Sequence, residues 1–471
     1  MSETNRDTQQ AEKEASPSFL PHVTRDDRVA KGKALRDSCP LKSHGNWKQA
    51  KDRPDPIQLV EQANVGRLPQ LVPIRHGRML ASPFTFYRGS ALSMAVDLAN
   101  SPATGIRVQA CGDAHLMNFG GFSTPERRII FSINDLDETL PAPWEWDVKR
   151  LAPSFVMACR DNGLSESVAR DTVLACVRSY RKWMARYSQM DALEVWYHSL
   201  DVEAMVDGIK NSQIRNQAQR NISKEKARSA LEHDFPKLVH VAGEKALIKD
   251  NLPTIFHAED DHQWEDMVRE SFGQYRETLE AGRQMLLDKF EFKDIAYKVV
   301  GVGSVGTACF VMLMMAGDHD PLFLQVKEAR SSVLEAFAGK SQYPNNGQRV
   351  VHGHRIMQSA SDIFLGWSMG RAGRHFYIRQ LRDVKIKVAV ETFGAEQMTL
   401  YAKWCGRSLA HSHARSGDSA EITGYLGKKD EFDHAIAKYS FTYADQTEQD
   451  FAALQRAVKA GRLPVEIEVK K

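Results

Sequence analysis

The chain is poor in cysteine: six in 471 residues, at positions 39, 111, 159, 176, 309 and 405. No two stand at a metal-ligand or redox spacing, which excludes zinc-ribbon and dithiol chemistry and suits a reducing compartment. Long hydrophobic runs are also missing. The longest, near Cys309 to Ala316, falls far short of the ~20 apolar residues a membrane helix needs. The opening segment MSETNRDTQQAEKEAS lacks the apolar centre of a secretion signal, so the expected location is the cytoplasm. An excess of charge is absent too. Lys plus Arg is 63 against 60 for Asp plus Glu, a net charge of +3, which argues for neither a nucleic-acid nor a membrane partner. The basic stretch Arg25 to Arg53 is expected to be solvated surface. There is no zinc motif and no internal repeat.

What is present is enough apolar residue, 42%, for a large core. Residues 1 to about 20 read as a polar tail within an N-terminal segment 1–56. Helical patterns occupy much of 57–293, including FYRGSALSMAVDLA, SESVARDTVLACVRSYRKWMARY and WEDMVRESFGQYRETLEAGRQML. They are interrupted by two strand-like segments, 106–113 and 128–135. From 294 to 385 the texture becomes β, with five strands and one helix, roughly 348–360, after the third. Helices return in 386–471.

The sharpest signal is Gly112-Asp113-Ala114-His115-Leu116-Met117-Asn118. An Asp followed five residues later by Asn, on a loop leaving a strand, suits phosphoryl transfer. The Asp orients an attacking hydroxyl and accepts its proton, and the Asn turns back to hold a metal ion bridging the phosphates. A further carboxylate at the end of the next strand would complete such a site. Asp135 stands there, with Asp137 two residues beyond. Magnesium prefers oxygen ligands and few protein groups, which Asn118, Asp135 and Asp137 offer.

Gly301, Gly303 and Gly306 form a second signal. In a dinucleotide-binding fold they would open a helix, but Thr307 to Met315 reads as strand. A strand-turn-strand with these glycines fits a flap over nucleotide phosphates. Lys327, on the third strand, is then placed to pair with those phosphates, and Glu335, eight residues on, is the expected partner of the lysine. Arg88, in Phe-Tyr-Arg-Gly, could reach an anion or pair on a helix surface.

These segments carry a resemblance. FYRGSALSMAVDL, CGDAHLMNFGGF, INDLDET, VVGVGSVGT, LFLQVKEARSSVLE and SDIFLGWSMG resemble the bacterial family called domain of unknown function 2252, from about Leu68 to about Gly427. The motifs in turn look like those of aminoglycoside phosphotransferases and protein kinases, whose loop reads His-Gly-Asp-x-His-x-x-Asn. Cys111 replaces the first His. The resemblance implies that Asp113 is the catalytic base, that Asn118 and Asp135 are metal ligands, and that Asp147 braces the loop from a helix start. It also implies a reordering. In those enzymes the flap and a helix resembling Cys405 to His413 precede the catalytic loop; here they follow it. An alternative loop, His413 to Asp418, has Thr423 where Asn is needed.

The expectation is an α+β, two-lobed, protein-kinase-like fold in circularly permuted order. It would bind ATP and Mg²⁺ and transfer phosphate to a hydroxyl of a small-molecule or protein acceptor. A nucleotide-binding pseudokinase acting as a regulator, or an AMP transferase on the same fold, are the alternatives.

Overall fold

The computed structural model describes residues 23–227, 235–242, 245–257, 262–317, 320–370, 373–381, 385–386 and 388–468. The expected tail, residues 1 to about 20, lies outside them. Four short strands come first: β1 (Arg107–Ala110), β2 (Phe119–Ser123), β3 (Ile129–Ile133) and β4 (Leu140–Pro143). β1 pairs with β4 and β2 with β3, so the two strands legible in the sequence flank the 112–118 loop without pairing to each other. Next come β5 (Val239–Ala242) and β6 (Lys245–Ile248), a small hairpin, followed by β7 (Ile255–Phe256). The glycine-flap region then supplies β8 (Glu291–Lys298), β9 (Cys309–Ala316), β10 (Asp320–Ala329), β11 (Gly366–Met369) and β12 (His375–Gln380). Last is β13 (Lys385–Ile386), which pairs with β2.

The five expected strands are all present and antiparallel, in the order β11-β12-β10-β9-β8, with β7 as a sixth at the edge. β9 is an unbroken apolar run because both of its faces are covered. Phe310, Met312 and Met314 pack with Tyr275, Leu279 and Leu287 on one side. Val311, Leu313 and Met315 pack with Val239, Ile248 and Ile255 on the other, as the two-residue period of a strand requires. Residues between Ile255 and Leu287, ahead of the expected boundary at 294, thus pack against the sheet. The expected helix across Trp264–Leu286 is two, His262–Glu277 and Ala281–Leu287.

The helix Asn346–Met357 starts with Asn345, whose side chain accepts from Gly347 N and Gln348 N. It packs on β10, β11 and β12 on one side and on the long helix Ala395–Ser416 on the other, linking sheet and helices. A single large core joins the helices Trp144–Asp161, Glu166–Tyr187, Ala395–Ser416 and Glu431–Lys459. Gly406 is required where two of these helices cross: a Cβ there would lie 2.2 Å from the Cys176 carbonyl oxygen.

The basic stretch 25–53 is not simply solvated. Arg25–Ala34 is a helix packed on Ser419–Leu426. Arg53 is buried between two carboxylates, donating to Asp97 at 2.8 and 3.0 Å and to Asp450 at 3.0 and 2.6 Å. Its partners come from chain-distant helices, so no local pattern revealed them. All six cysteines are buried and unpaired. Among the described residues, no helix is long and apolar enough to cross a membrane.

Candidate active site

The loop after β1 is fixed from below by the first turns of the helix Trp144–Asp161. Asp147, buried, accepts from Cys111 N at 2.6 Å and Gly112 N at 2.9 Å, and His413 Nε2 lies 3.1 Å from it. A carboxylate with several donors holds a loop firmly because its charge strengthens each bond. Gly112 has φ of 83°, and a Cβ there would sit 2.4 Å from the Glu138 carbonyl oxygen, so this turn admits only glycine.

Arg150 lies three residues after Asp147, on the same helical face. Its Nε and Nη2 both approach Asp113 Oδ1 at 2.8 Å, and Nη2 also donates to the Tyr87 carbonyl at 2.7 Å. The guanidinium carbon stands 3.9 Å from the Tyr87 ring centroid. Asp113 is thus aimed by a buried arginine, and its Oδ2 is 3.8 Å from His115 Nε2. Burial pushes His115 down to about 4 despite the attraction of Asp113, so the imidazole is neutral at pH 7. Asn118 donates its Nδ2 to the Asp113 carbonyl at 2.7 Å, so its side-chain oxygen is the atom that remains to offer.

Lys327 arrives from the sheet. β10 lies between β9 and β12, with Lys327 in register with Cys309 and Tyr377. It shares a face with Gln325 and Phe323. Its Nζ is 2.5 Å from Asp137 Oδ2 and 3.5 Å from Asp135 Oδ2. Asp137 also accepts from Tyr377 OH at 2.8 Å and from Ser304 Oγ at 3.3 Å. Burial would lower the ammonium, but Asp135 and Asp137 outweigh it and hold Lys327 charged. For Asp135 burial pulls upward, and Lys327 and then Arg379 win, keeping the carboxyl below the usual range. Asp137 moves the other way, raised by burial and by the neighbouring Asp135 charge.

The glycine turn between β8 and β9 is clamped from outside. Arg67 donates to the carbonyls of Val305 at 2.5 Å and Gly303 at 2.9 Å, and Leu68 N donates to Gly306 O at 2.7 Å. Gly306 has φ of 87°, the left-handed region, with Arg67 packed against it.

One open cavity of about 490 Å³ is lined by Asp113, Asn118, Asp135, Asp137, Gly301, Gly303 and Lys327. Seven of the residues singled out in the sequence therefore meet, although they come from three separate stretches of chain. Gly306 shapes the turn without lining the cavity. Glu335 does not reach the lysine: it pairs with Lys340 at 3.6 Å, in a four-residue helix that precedes the one packed on the sheet. That packed helix, NGQRVVHGHRIM, holds no acidic residue. It presents Arg349, buried, which donates to the carbonyls of Thr139, Asp137 and Arg330 and ties the Asp137 turn to the end of β10. Asp418, from the alternative loop, is a helix cap accepting from Ala420 N and Glu421 N. Arg150, Arg349 and Glu138 are the participants that sequence reasoning missed. For Arg150 the signal was its three-residue spacing from the bracing Asp147. Glu138 is pushed up to about 7 by burial, against the pull of Arg349 and the Val333 N–H that its Oε2 accepts at 2.7 Å.

A family profile described as "Uncharacterized protein conserved in bacteria (DUF2252)" matches residues 67–457. The chain belongs to the DUF2252 family. No curated protein and no solved structure matches it.

In this DUF2252 protein the oxygen donors suit a hard cation such as Mg²⁺. Asp135 Oδ1 is buried without a hydrogen-bond partner, an orphaned anionic atom that a cation would satisfy. Asn118 supplies a neutral oxygen across the same cavity. Asp137, engaged by Lys327, Tyr377 and Ser304, is the poorest of the three expected ligands. Among the described residues no three His, Cys, Asp or Glu side chains converge as a ready-made metal cage, so a bound ion would rely on substrate phosphates for its remaining ligands.

Proposed function

We propose that the DUF2252 cavity is an Mg-ATP-dependent phosphotransferase site on a two-lobed, protein-kinase-like scaffold whose segments run in circularly permuted order. The observation that carries this reading is the meeting of Lys327 with Asp135 and Asp137 in one cavity with Asp113 and Asn118. A buried lysine on the central strand of an antiparallel sheet, beside a glycine turn, is the arrangement that phosphate binding uses. The permuted order is supported by the helix Ala395–Ser416, whose His413 reaches Asp147 under the loop from the far end of the chain.

The assigned roles follow from the contacts. Arg150 fixes Asp113 so that its free oxygen can orient an acceptor hydroxyl and take its proton as the oxygen–phosphorus bond forms and ADP departs. A carboxylate held in a fixed orientation suffices where the transition state is loose and positioning is the main demand. Asn118 and Asp135 would hold Mg²⁺, which supplies neutralisation of charge on the phosphates. Lys327 is held charged and, with the backbone of the glycine turn, would bind the nucleotide phosphates.

The test is nucleotide binding followed by transfer. ATP is expected to raise the melting temperature only when Mg²⁺ is present. Asp113→Ala should keep that shift while slowing transfer or ATP hydrolysis at least ~100-fold. Equal background turnover in wild type and variant would leave a pseudokinase. A product enlarged by AMP rather than phosphate, read by mass spectrometry, would reassign the reaction to nucleotidyl transfer.

A further inference from the structure

The cavity has an arginine wall. Arg67, Arg75, Arg88 and Arg330 line the end between the helices preceding β1 and the C-terminal end of β10. Three of them are held by neutral groups. Arg67 bonds the carbonyls of Ala63, Val305 and Gly303. Arg75 donates to Asn64 Oδ1 and the Gly89 carbonyl, both at 2.8 Å. Arg330 donates to the Val65 carbonyl. None of the four forms an ion pair among the described residues. Burial first, and then Arg330, push Arg67 down to about 10 against the pull of Glu138, Glu328 and Asp137, and Arg67 and Arg330 act on Arg75 in the same sense, so these three cations crowd one another.

Arg88 differs from the other three. Among the described residues its guanidinium makes no hydrogen bond, and its Nε is buried without a partner. The Phe84 ring centroid is 5.9 Å from its guanidinium carbon, and the Asp113 and Glu391 carboxylates attract it without bonding. Leaving a half-buried cation unbonded costs free energy unless a ligand repays it. Its place in the fold is defined from two sides. A Cβ on Gly303 would lie 3.6 Å from the Arg88 carbonyl oxygen, so this residue abuts the glycine turn. The preceding residue, Tyr87, holds Arg150, which in turn holds Asp113. Arg88 therefore stands between the turn and the proposed base, where an acceptor must enter.

We propose that Arg88 binds an anionic group of the acceptor, so that the substrate class is a hydroxylated compound carrying phosphate or carboxylate. The arginine wall supplies the field, and Arg88 supplies the direct bonds through its planar fork. This rests on the phosphotransferase reading for the word acceptor, but the anion site itself does not.

The experiment is calorimetry on the full chain with inorganic phosphate as probe, in the absence of nucleotide and again with saturating Mg-ADP, alongside separate Mg-ATP titrations. Wild type is expected to bind phosphate with ADP present. Arg88→Met should weaken phosphate about tenfold while changing ATP affinity less than about twofold, and Arg88→Lys, which keeps the charge but loses the fork, should fall between. Should the methionine variant misfold, seen as a lost melting transition, the lysine variant carries the comparison. Equal losses for phosphate and ATP would assign Arg88 to the nucleotide and overturn the proposal, as would phosphate affinity indifferent to Arg88. Arg88-dependent phosphate binding in a protein that binds no nucleotide would keep the anion site and sink the phosphotransferase reading instead.

Discussion

Two walls of one cavity solve the problem of buried charge in opposite ways. On the sheet side, Lys327 is neutralised internally by Asp135 and Asp137, with Tyr377 and Ser304 completing the shell of Asp137. On the opposite side, Arg67, Arg75, Arg88 and Arg330 form no ion pair among the described residues, and carboxylates such as Glu138 and Asp113 act on them only without contact. A paired wall is stable when empty, and a ligand must exchange partners there. An unpaired wall is incomplete when empty and awaits negative charge. The first arrangement fits a phosphate-and-metal exchange, the second a recognition surface.

The comparison breaks most directly at Lys327. Replacing it with Met leaves two acidic groups facing each other without their cation. Removing one partner of a buried ion pair costs several kcal/mol; with both carboxylates partly open to solvent, a loss of about 3 kcal/mol is expected. The pH dependence gives the sign. Asp135 has a folded value below its unfolded one, so its contribution is present above about pH 4 and disappears as pH falls through the folded value. Chemical denaturation of wild type and Lys327→Met should therefore show a gap that narrows from pH 7 toward pH 3. A gap independent of pH would mean that the lysine contributes packing and not charge.

A smaller effect is expected below the 112–118 loop. Asp147→Ala strands the N–H groups of Cys111 and Gly112, at an expected cost of about 2 kcal/mol in stability. Because the loop then shifts, transfer should fall about 100-fold while ATP affinity holds, since misplacement alone carries that penalty. Parallel loss of nucleotide binding would show Asp147 to be a general structural support and not a positioning residue.

Much of this site could be read before the fold was known, and the reason is local. Asp113 and Asn118 share one loop, the glycines share one turn, and the parity of β10 puts Lys327 on the face that Gln325 also occupies. Spacing within an element carries that information. What escaped were pairings between elements. Glu335 was matched to Lys327 by distance along the chain, yet the helix that packs on the sheet begins only at Asn346 and offers Arg349 in place of an acid. Asp137 was expected as a metal ligand beside Asp135, and its added contacts with Lys327 and Tyr377 depend on the register of β10 with β12. Arg53 looked like a solvated basic residue, and Arg67 drew no reading at all. Their partners, Asp97 and Asp450 for one and the carbonyls of Gly303 and Val305 for the other, come from elsewhere in the fold.

The finest test of the comparison is Glu138, which lines the cavity together with both walls. Burial pushes its carboxyl up to about 7, so between the ordinary glutamate value near 4.3 and about 7 the folded chain holds a proton that the unfolded chain has released. Stability from this residue therefore declines as pH rises through that window. Glu138→Gln keeps an oxygen for the Val333 N–H and removes the titration. The variant should match wild type at pH 4 and exceed it by about 1 kcal/mol at pH 8, after discounting for partial exposure. Should the variant instead be less stable at pH 8, the ionised carboxylate is already compensated by Arg349 and the neighbouring arginines. The helical wall would then be partly neutralised from within, and the contrast with the Lys327 side would shrink accordingly.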